Sequence, residues 1–284
     1  LKISLAWFLC IFLLLCLSFE SRAYQWQELS GEHFIIYFLE NKDFAKEILD
    51  KAEIYYRNIA LELGYPRYSE FWTWDNRVRI YLYPDRKSFQ KATGQPTWSE
   101  GMASYNDKKI ISYVWSKGFT ESLLPHEMAH LIFRDFVRFK GDIPLWLDEG
   151  VAQWMEELKR PHIKRVAKKY FQENALLSID DMMQLDIRNL KYEQAVYIRP
   201  IRTKDGKEGI LFLSAELLIN TYYIQSVSLV GFLIEKYGSN AFADFCRELR
   251  DGKNVQEALR SAYPTHIRSL REFEDRWREY LEAD

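Results

Sequence analysis

The spacing of apolar residues changes several times along this chain, and each change marks an element. The run His33-Phe34-Ile35-Ile36-Tyr37-Phe38, ending before Asn41, predicts a strand. From Asp43 to Leu63 the spacing lengthens: Phe44, Ile48, Ala52, Tyr56, Ala60 and Leu63 recur at three or four residues, a helix that Gly64 and Pro66 stop. Arg77 to Tyr83 alternates and predicts a second strand, turned by Pro84-Asp85, with a short helix over Lys87 to Thr93. Gly101 to Tyr105 and Ile110 to Val114 flank Asn106-Asp107 as an antiparallel pair.

Beyond residue 115 the pattern is helical. Leu123-Leu124-Pro125, Leu131-Ile132-Phe133 and Phe136-Val137 fit a buried helix, with Thr120 or Ser122 as its cap and Pro125 in or near its first turn. A second helix opens near Pro144 and carries Leu145, Trp146, Val151, Ala152 and Trp154. Met155 to Phe171 continues as helix, interrupted near Pro161, and its Lys159, Arg160, Lys164, Arg165, Lys168 and Lys169 form a solvated face. Asp180 to Gly209 is polar and predicts a long loop; His33, His162 and His266 are expected at the surface. Tyr223, Leu229, Phe232 and Leu233 lie on a further helix, followed by helices over 241–249, 255–262 and 267–280. Strands first and helices afterwards give an α+β fold, a small mixed sheet with a helical C-terminal part.

The first 23 residues read as an export signal. Lys2 is followed by an apolar stretch from Ile3 to Phe19, and Ser21-Arg22-Ala23 offers a cleavage site. Retention of residues 3–19 as a membrane tether is the alternative, since seventeen residues are borderline for a span. Cleavage would leave residues 24–284 as one exported domain, periplasmic or extracellular. It would remove Lys2, Glu20 and Arg22 and move the net charge from −2 to −3, so no basic excess points to nucleic acid. Only Cys246 would remain, a buried thiol with no internal partner.

The chemistry is concentrated in His126-Glu127-Met128-Ala129-His130 and, eighteen residues later, Glu149 within Trp146-Leu147-Asp148-Glu149-Gly150. Residues at i and i+4 share a helix face, so both imidazoles converge on one point, and a Zn²⁺ at about 2.0–2.1 Å from each ring nitrogen fits there. Burying two imidazoles and a carboxylate unpaired among so many apolar residues would be costly, and a metal removes that cost. Glu149 supplies a third ligand and leaves the fourth position open, which separates a catalytic zinc from a structural one. Glu127 is placed to reach a metal-bound water as general base, and Gln153, one turn after Glu149, is expected to face solvent, with a ligand histidine as its alternative partner.

The HExxH, its spacer and the W-x-x-E-G turn resemble the gluzincin zinc metallopeptidases, the clan of thermolysin and the zinc aminopeptidases, and most closely its small peptidase MA-like domains. The resemblance covers about His33 to Leu281. It implies a thermolysin-like catalytic domain holding one zinc per chain on His126, His130 and Glu149, with Glu127 as general base. It implies that the edge strand Gly101-Met102-Ala103-Ser104, above the zinc helix, pairs with an extended peptide substrate. It also implies that Tyr223 faces the metal and donates to the developing oxyanion. Gly101-Met102-Ala103-Ser104 lacks the glutamate with which the aminopeptidases hold a free amine, which favours endoproteolysis. The alternative is a non-catalytic module of this fold that binds an extended peptide or an envelope partner.

Overall fold

The computed structural model describes residues 25–65, 72–97, 99–115, 118–138, 143–190, 196–202 and 206–283. The expected signal segment 1–23 lies outside them. The fold is α+β: a five-stranded sheet precedes a mainly helical C-terminal half.

The sheet has the order β1 (Gln27–Ser30), β2 (Phe34–Phe38), β3 (Val78–Tyr83), β5 (Lys109–Tyr113), β4 (Gly101–Ser104). β2, β3 and β5 are mutually parallel, while β1 and β4 run antiparallel on the two edges. Alternation fixes the faces: Phe34, Ile36 and Phe38 on β2 and Val78, Ile80 and Leu82 on β3 are buried. Helix α1 (Lys42–Glu62) covers β2, burying Ala45, Ile48, Ala52, Tyr56 and Ile59 at helical spacing. Asn41 caps it from a left-handed conformation, accepting from the Phe44 N–H. On the opposite face Tyr37 stacks on Tyr81 at 4.8 Å, and the Trp26 ring stands edge-on to Tyr81 and Tyr83. Asp85 caps the short helix α2 (Arg86–Thr93) through the Ser88 N–H.

The helices of the second half are α3 (Leu124–Val137), α4 (Leu145–Trp154), α5 (Arg160–Gln172), α6 (Ile179–Gln184), α7 (Ala215–Tyr237), α8 (Ser239–Arg250), α9 (Val255–Ala262) and α10 (Leu270–Ala283). α4 against α7 is the most extensive helix pair among the described elements. Small residues permit it. A β-carbon on Gly150 would lie 2.5 Å from the Ser226 carbonyl oxygen, and one on Gly231 would lie 2.4 Å from the Trp154 ring. α7 is long and apolar enough to cross a membrane, but most of it is buried as the central helix of this half.

Three expectations change. The long loop over 180–209 instead contains α6 and most of a ribbon, β6 (Val196–Arg202) paired antiparallel with β7 (Glu208–Ser214). Thr120 and Ser122 do not cap α3. A π-helical turn over Phe119–Leu123 leads into it, Pro125 falls in its first turn where no N–H is needed, and Ser122 is used elsewhere. His33 is buried rather than at the surface, its ring stacked on Tyr56 at 4.1 Å. His162 and His266 are exposed as expected. The basic face holds for the exposed Lys159, Arg165 and Lys169, whereas Arg160 lies 4.2 Å over the Trp154 ring and donates to the Trp154 carbonyl.

Candidate metal centre

α3 places His126 and His130 one turn apart, their rings 4.9 Å between centroids and nearly perpendicular. α4 crosses α3 and carries Glu149. One ligand atom from each of His126, His130 and Glu149 lies within 4.8 Å of the others, and all three side chains are half-buried. The three residues chosen for their spacing are thus brought together. Glu127 lies beside them, near enough for its charge to act on His130.

The outer contacts orient the rings. Nδ1 of His130 lies 3.0 Å from Asp148 Oδ1, and Nδ1 of His126 lies 3.1 Å from Glu156 Oε1. With the Nδ1–H groups donating to carboxylates, each Nε2 keeps its lone pair for a metal, one of the two tautomers through which a histidine can ligate zinc. Both carboxylates are buried and otherwise satisfied. Asp148 Oδ2 accepts from Arg134 Nη2 at 2.6 Å. Glu156 accepts from the Ser122 hydroxyl and pairs with Lys159.

Burial alone would raise the Asp148 pKa, but its hydrogen bonds and charge pairing with His130 and Arg134 prevail and hold it at about 2. Glu156 is lowered in the same way: burial opposes its charge, and hydrogen bonds from His126, Lys159 and Ser122 outweigh that. Burial would likewise depress His130, but Asp148, Glu149 and Glu127 together raise it. Around the two imidazoles the four acids Glu127, Asp148, Glu149 and Glu156 outnumber the cations Arg134, Lys159 and Arg188, which favours a bound cation, and the donor set of two nitrogens and one oxygen suits zinc.

Spacing alone missed Asp148 and Glu156. Gln153, expected to face solvent with a ligand histidine as the alternative, is half-buried, and the histidines meet the two acids instead. Asp148 immediately precedes Glu149, so an acid pair before a glycine was the available signal. Glu156 lies past the end of α4, where no helical period points to it. Arg188 was also missed. Its Nη2 stands 3.4 Å from Glu149 Oε1 and 3.6 Å from Asp148 Oδ2, placing a half-exposed cation at the rim of the centre.

Strand β4 is an edge strand, as expected, and it is fastened along α3 at both ends. A β-carbon on Gly101 would lie 2.5 Å from Leu123 Cδ2, just before α3 begins. At the other end the β4–β5 turn reaches Asp135 near the end of α3, through Lys108 Nζ at 3.0 Å and through Tyr105. Asp135 also accepts from Trp72 Nε1 at 2.7 Å. The half-buried backbone of Gly101–Ser104 therefore runs beside the helix that carries both histidines.

Tyr223 lies half-buried on α7, its ring perpendicular to that of Tyr222. Tyr222 is fully buried, its hydroxyl against the Trp146 backbone at the start of α4. Burial raises the Tyr222 pKa, and the neighbouring Tyr223 and Glu149 add to the rise.

A second histidine–carboxylate cluster has another explanation. Glu53 accepts the His33 backbone N–H at 2.9 Å and faces its Nδ1 at 2.7 Å, so both of its oxygens already pin the β1–β2 turn to α1.

No family model matches this chain, and no curated protein matches it significantly.

Proposed function

We propose that this chain is an exported zinc peptidase of the gluzincin type, with a thermolysin-like catalytic domain, that cuts extended polypeptides internally. The reading is carried by the convergence of His126, His130 and Glu149, with each histidine anchored through Nδ1 by a buried carboxylate. Two separately anchored imidazoles directed at one acid are costly to maintain unless a cation is held between them.

Bound zinc would supply Lewis acidity toward a carbonyl and bring the pKa of water toward neutrality. The remaining steps belong to the chain. Glu127 takes the proton of the attacking water as the new C–O bond forms, then delivers it to the amine nitrogen as the C–N bond breaks. Arg188 at the rim and Tyr223 on α7 are the donors available to the oxygen that gains charge. The open edge of β4 offers main-chain hydrogen bonds to an extended substrate, which orients it along α3 without demanding a particular side-chain sequence. With no acid in Gly101–Ser104 to hold a terminal amine, the reading favours cleavage within a chain.

The test is hydrolysis of casein by the purified chain, with zinc content measured in the same preparation and Glu127→Gln as control. One zinc per chain, with cleavage lost in the variant, is the expected result. Zinc bound with no cleavage by either form would favour a module that binds peptides without cutting them. No zinc uptake at all would end the reading. N-terminal sequencing of the exported protein checks the signal, with Tyr24 the expected first residue.

A further inference from the structure

Two arginines meet at a cavity of about 240 Å³ whose walls share no residue with the cluster of His126, His130 and Glu149. Those walls are Asn174 just beyond α5, Leu176, then Arg199, Pro200 and Ile201 on β6, and Arg278 on α10. Alternation along β6 puts Arg199 on the half-buried side of the strand with Tyr197 and Ile201, while Val196, Ile198 and Pro200 are exposed. Arg199 Nη2 donates to the Leu176 carbonyl at 2.8 Å, and its Nε is buried without a partner. Among the described residues no carboxylate pairs with this guanidinium. The two acids whose charges reach Tyr197, Arg199's near neighbour on β6, are engaged elsewhere. Asp181 accepts from the Ser178 and Tyr197 hydroxyls. Glu274 accepts from Nε and Nη2 of Arg278 on one oxygen and from the Ile179 N–H on the other. Arg278 is thus neutralised and held as a fork, its guanidinium carbon 5.9 Å from the Phe171 ring centroid. Arg199 is left as a half-buried cation with one neutral hydrogen bond. It loses hydration that no described neighbour returns, and an anion in the cavity would return it.

We propose that this cavity binds a small carboxylate, with Arg199 as its ion partner and Arg278 and Asn174 as further donors. The planar guanidinium of arginine presents paired N–H groups that match two carboxylate oxygens. A single negative charge suits the surroundings better than a double one. Asp181 and Glu274 stand close by, and a phosphate dianion would meet both as like charges. The volume lies just below the range of drug-sized ligand sites, about 300–1,000 Å³, which limits the ligand to a small acid. Leu176 and Ile201 give its carbon end an apolar wall. The site does not depend on what the metal centre holds.

The experiment is calorimetric titration of the purified chain with acetate, chloride being replaced ion for ion so that ionic strength stays constant, and with inorganic phosphate as the second titrant. Arg199→Gln and Arg278→Gln are compared with Arg165→Gln, which removes the same charge from an exposed position on α5. Circular dichroism checks the fold of each variant. Acetate is expected to saturate one site at about millimolar concentration, within what so small a ligand can supply. Arg199→Gln is expected to weaken binding at least about tenfold and Arg278→Gln to weaken it in the same direction, with Arg165→Gln unchanged. Should Arg199→Gln fail to fold, Arg278→Gln decides by the same criterion. Acetate binding that survives both cavity variants would place the anion elsewhere, the metal centre included, and would overturn the proposal. The absence of saturable acetate binding, or tighter binding of phosphate than of acetate, would also overturn it.

Discussion

Replacing Asp148 tests the proposed centre without touching a ligand. The Asp148 side chain is almost wholly buried and acts through both oxygens, one facing His130 Nδ1 at 3.0 Å and the other held by Arg134 at 2.6 Å. Asp148→Ala removes the acceptor that sets the His130 tautomer and leaves Arg134 facing an empty space. Outer partners of metal-bound histidines are worth about 10–100-fold in affinity, or roughly 1.4–2.7 kcal/mol. Because Asp148 is pinned at both ends, Asp148→Ala is expected at the upper end of that range. Asp148→Asn keeps an acceptor oxygen but loses its charge, and a charge-assisted hydrogen bond is about twice as strong as a neutral one. The Asn variant should therefore lose affinity by about tenfold. The assay is competition for zinc against a chromogenic chelator, with far-UV circular dichroism to confirm folding. If the folded Asp148→Ala variant held zinc as tightly as the parent, or if Asn and Ala were indistinguishable, the inferred role of Asp148 would be refuted.

Arg188→Gln removes a positive charge that competes with a bound cation for Glu149, so zinc affinity should rise, by under about 1 kcal/mol because the half-exposed guanidinium is screened by solvent; the same competition assay decides. Gly150→Ala drives a β-carbon into the Ser226 carbonyl and should cost about 1–3 kcal/mol of stability, measured by chemical denaturation. A cost near zero would mean that α4 and α7 are not held so closely. Asp85→Ala removes the cap of α2 and should cost about 1 kcal/mol at neutral pH. Hydrogen bonds from Ser88 hold the Asp85 pKa below its usual value, so its contribution is present above the ordinary carboxylate range and is lost as pH falls through the lowered value. Denaturation curves of parent and variant should therefore converge in acid.

Much of the architecture was legible because its signals are local. Strict alternation at Val78–Tyr83 and the long helical spacing of α1 each admit one reading, and the β4–β5 hairpin was marked by its Asn-Asp turn. The ribbon escaped because its strands border charged, loop-like residues and because β7 is apolar at four successive positions, Ile210 to Leu213, which hides the alternation. In the centre, His126, His130 and Glu149 were legible from helix geometry, while Asp148, Glu156 and Arg188 depend on how separate elements fold back on one another. His33 was misplaced for a related reason. Its burial is set by Glu53, twenty residues away on α1, and nothing near His33 in the sequence announces that partner.

The close seating of Gly150 on Ser226 has a consequence for the order in which the molecule is made. Glu149 is held in position by a helix pair whose second member, α7, begins at residue 215. While the chain is being synthesised, at about 5–20 residues per second, both histidines emerge well before the helix that fixes Glu149 in place. Glu149 is therefore fixed in place only after synthesis has passed residue 215, where α7 begins. A chain still short of α7 lacks the assembled cluster, and the ribosome handles the nascent polypeptide before His126, His130 and Glu149 have come together.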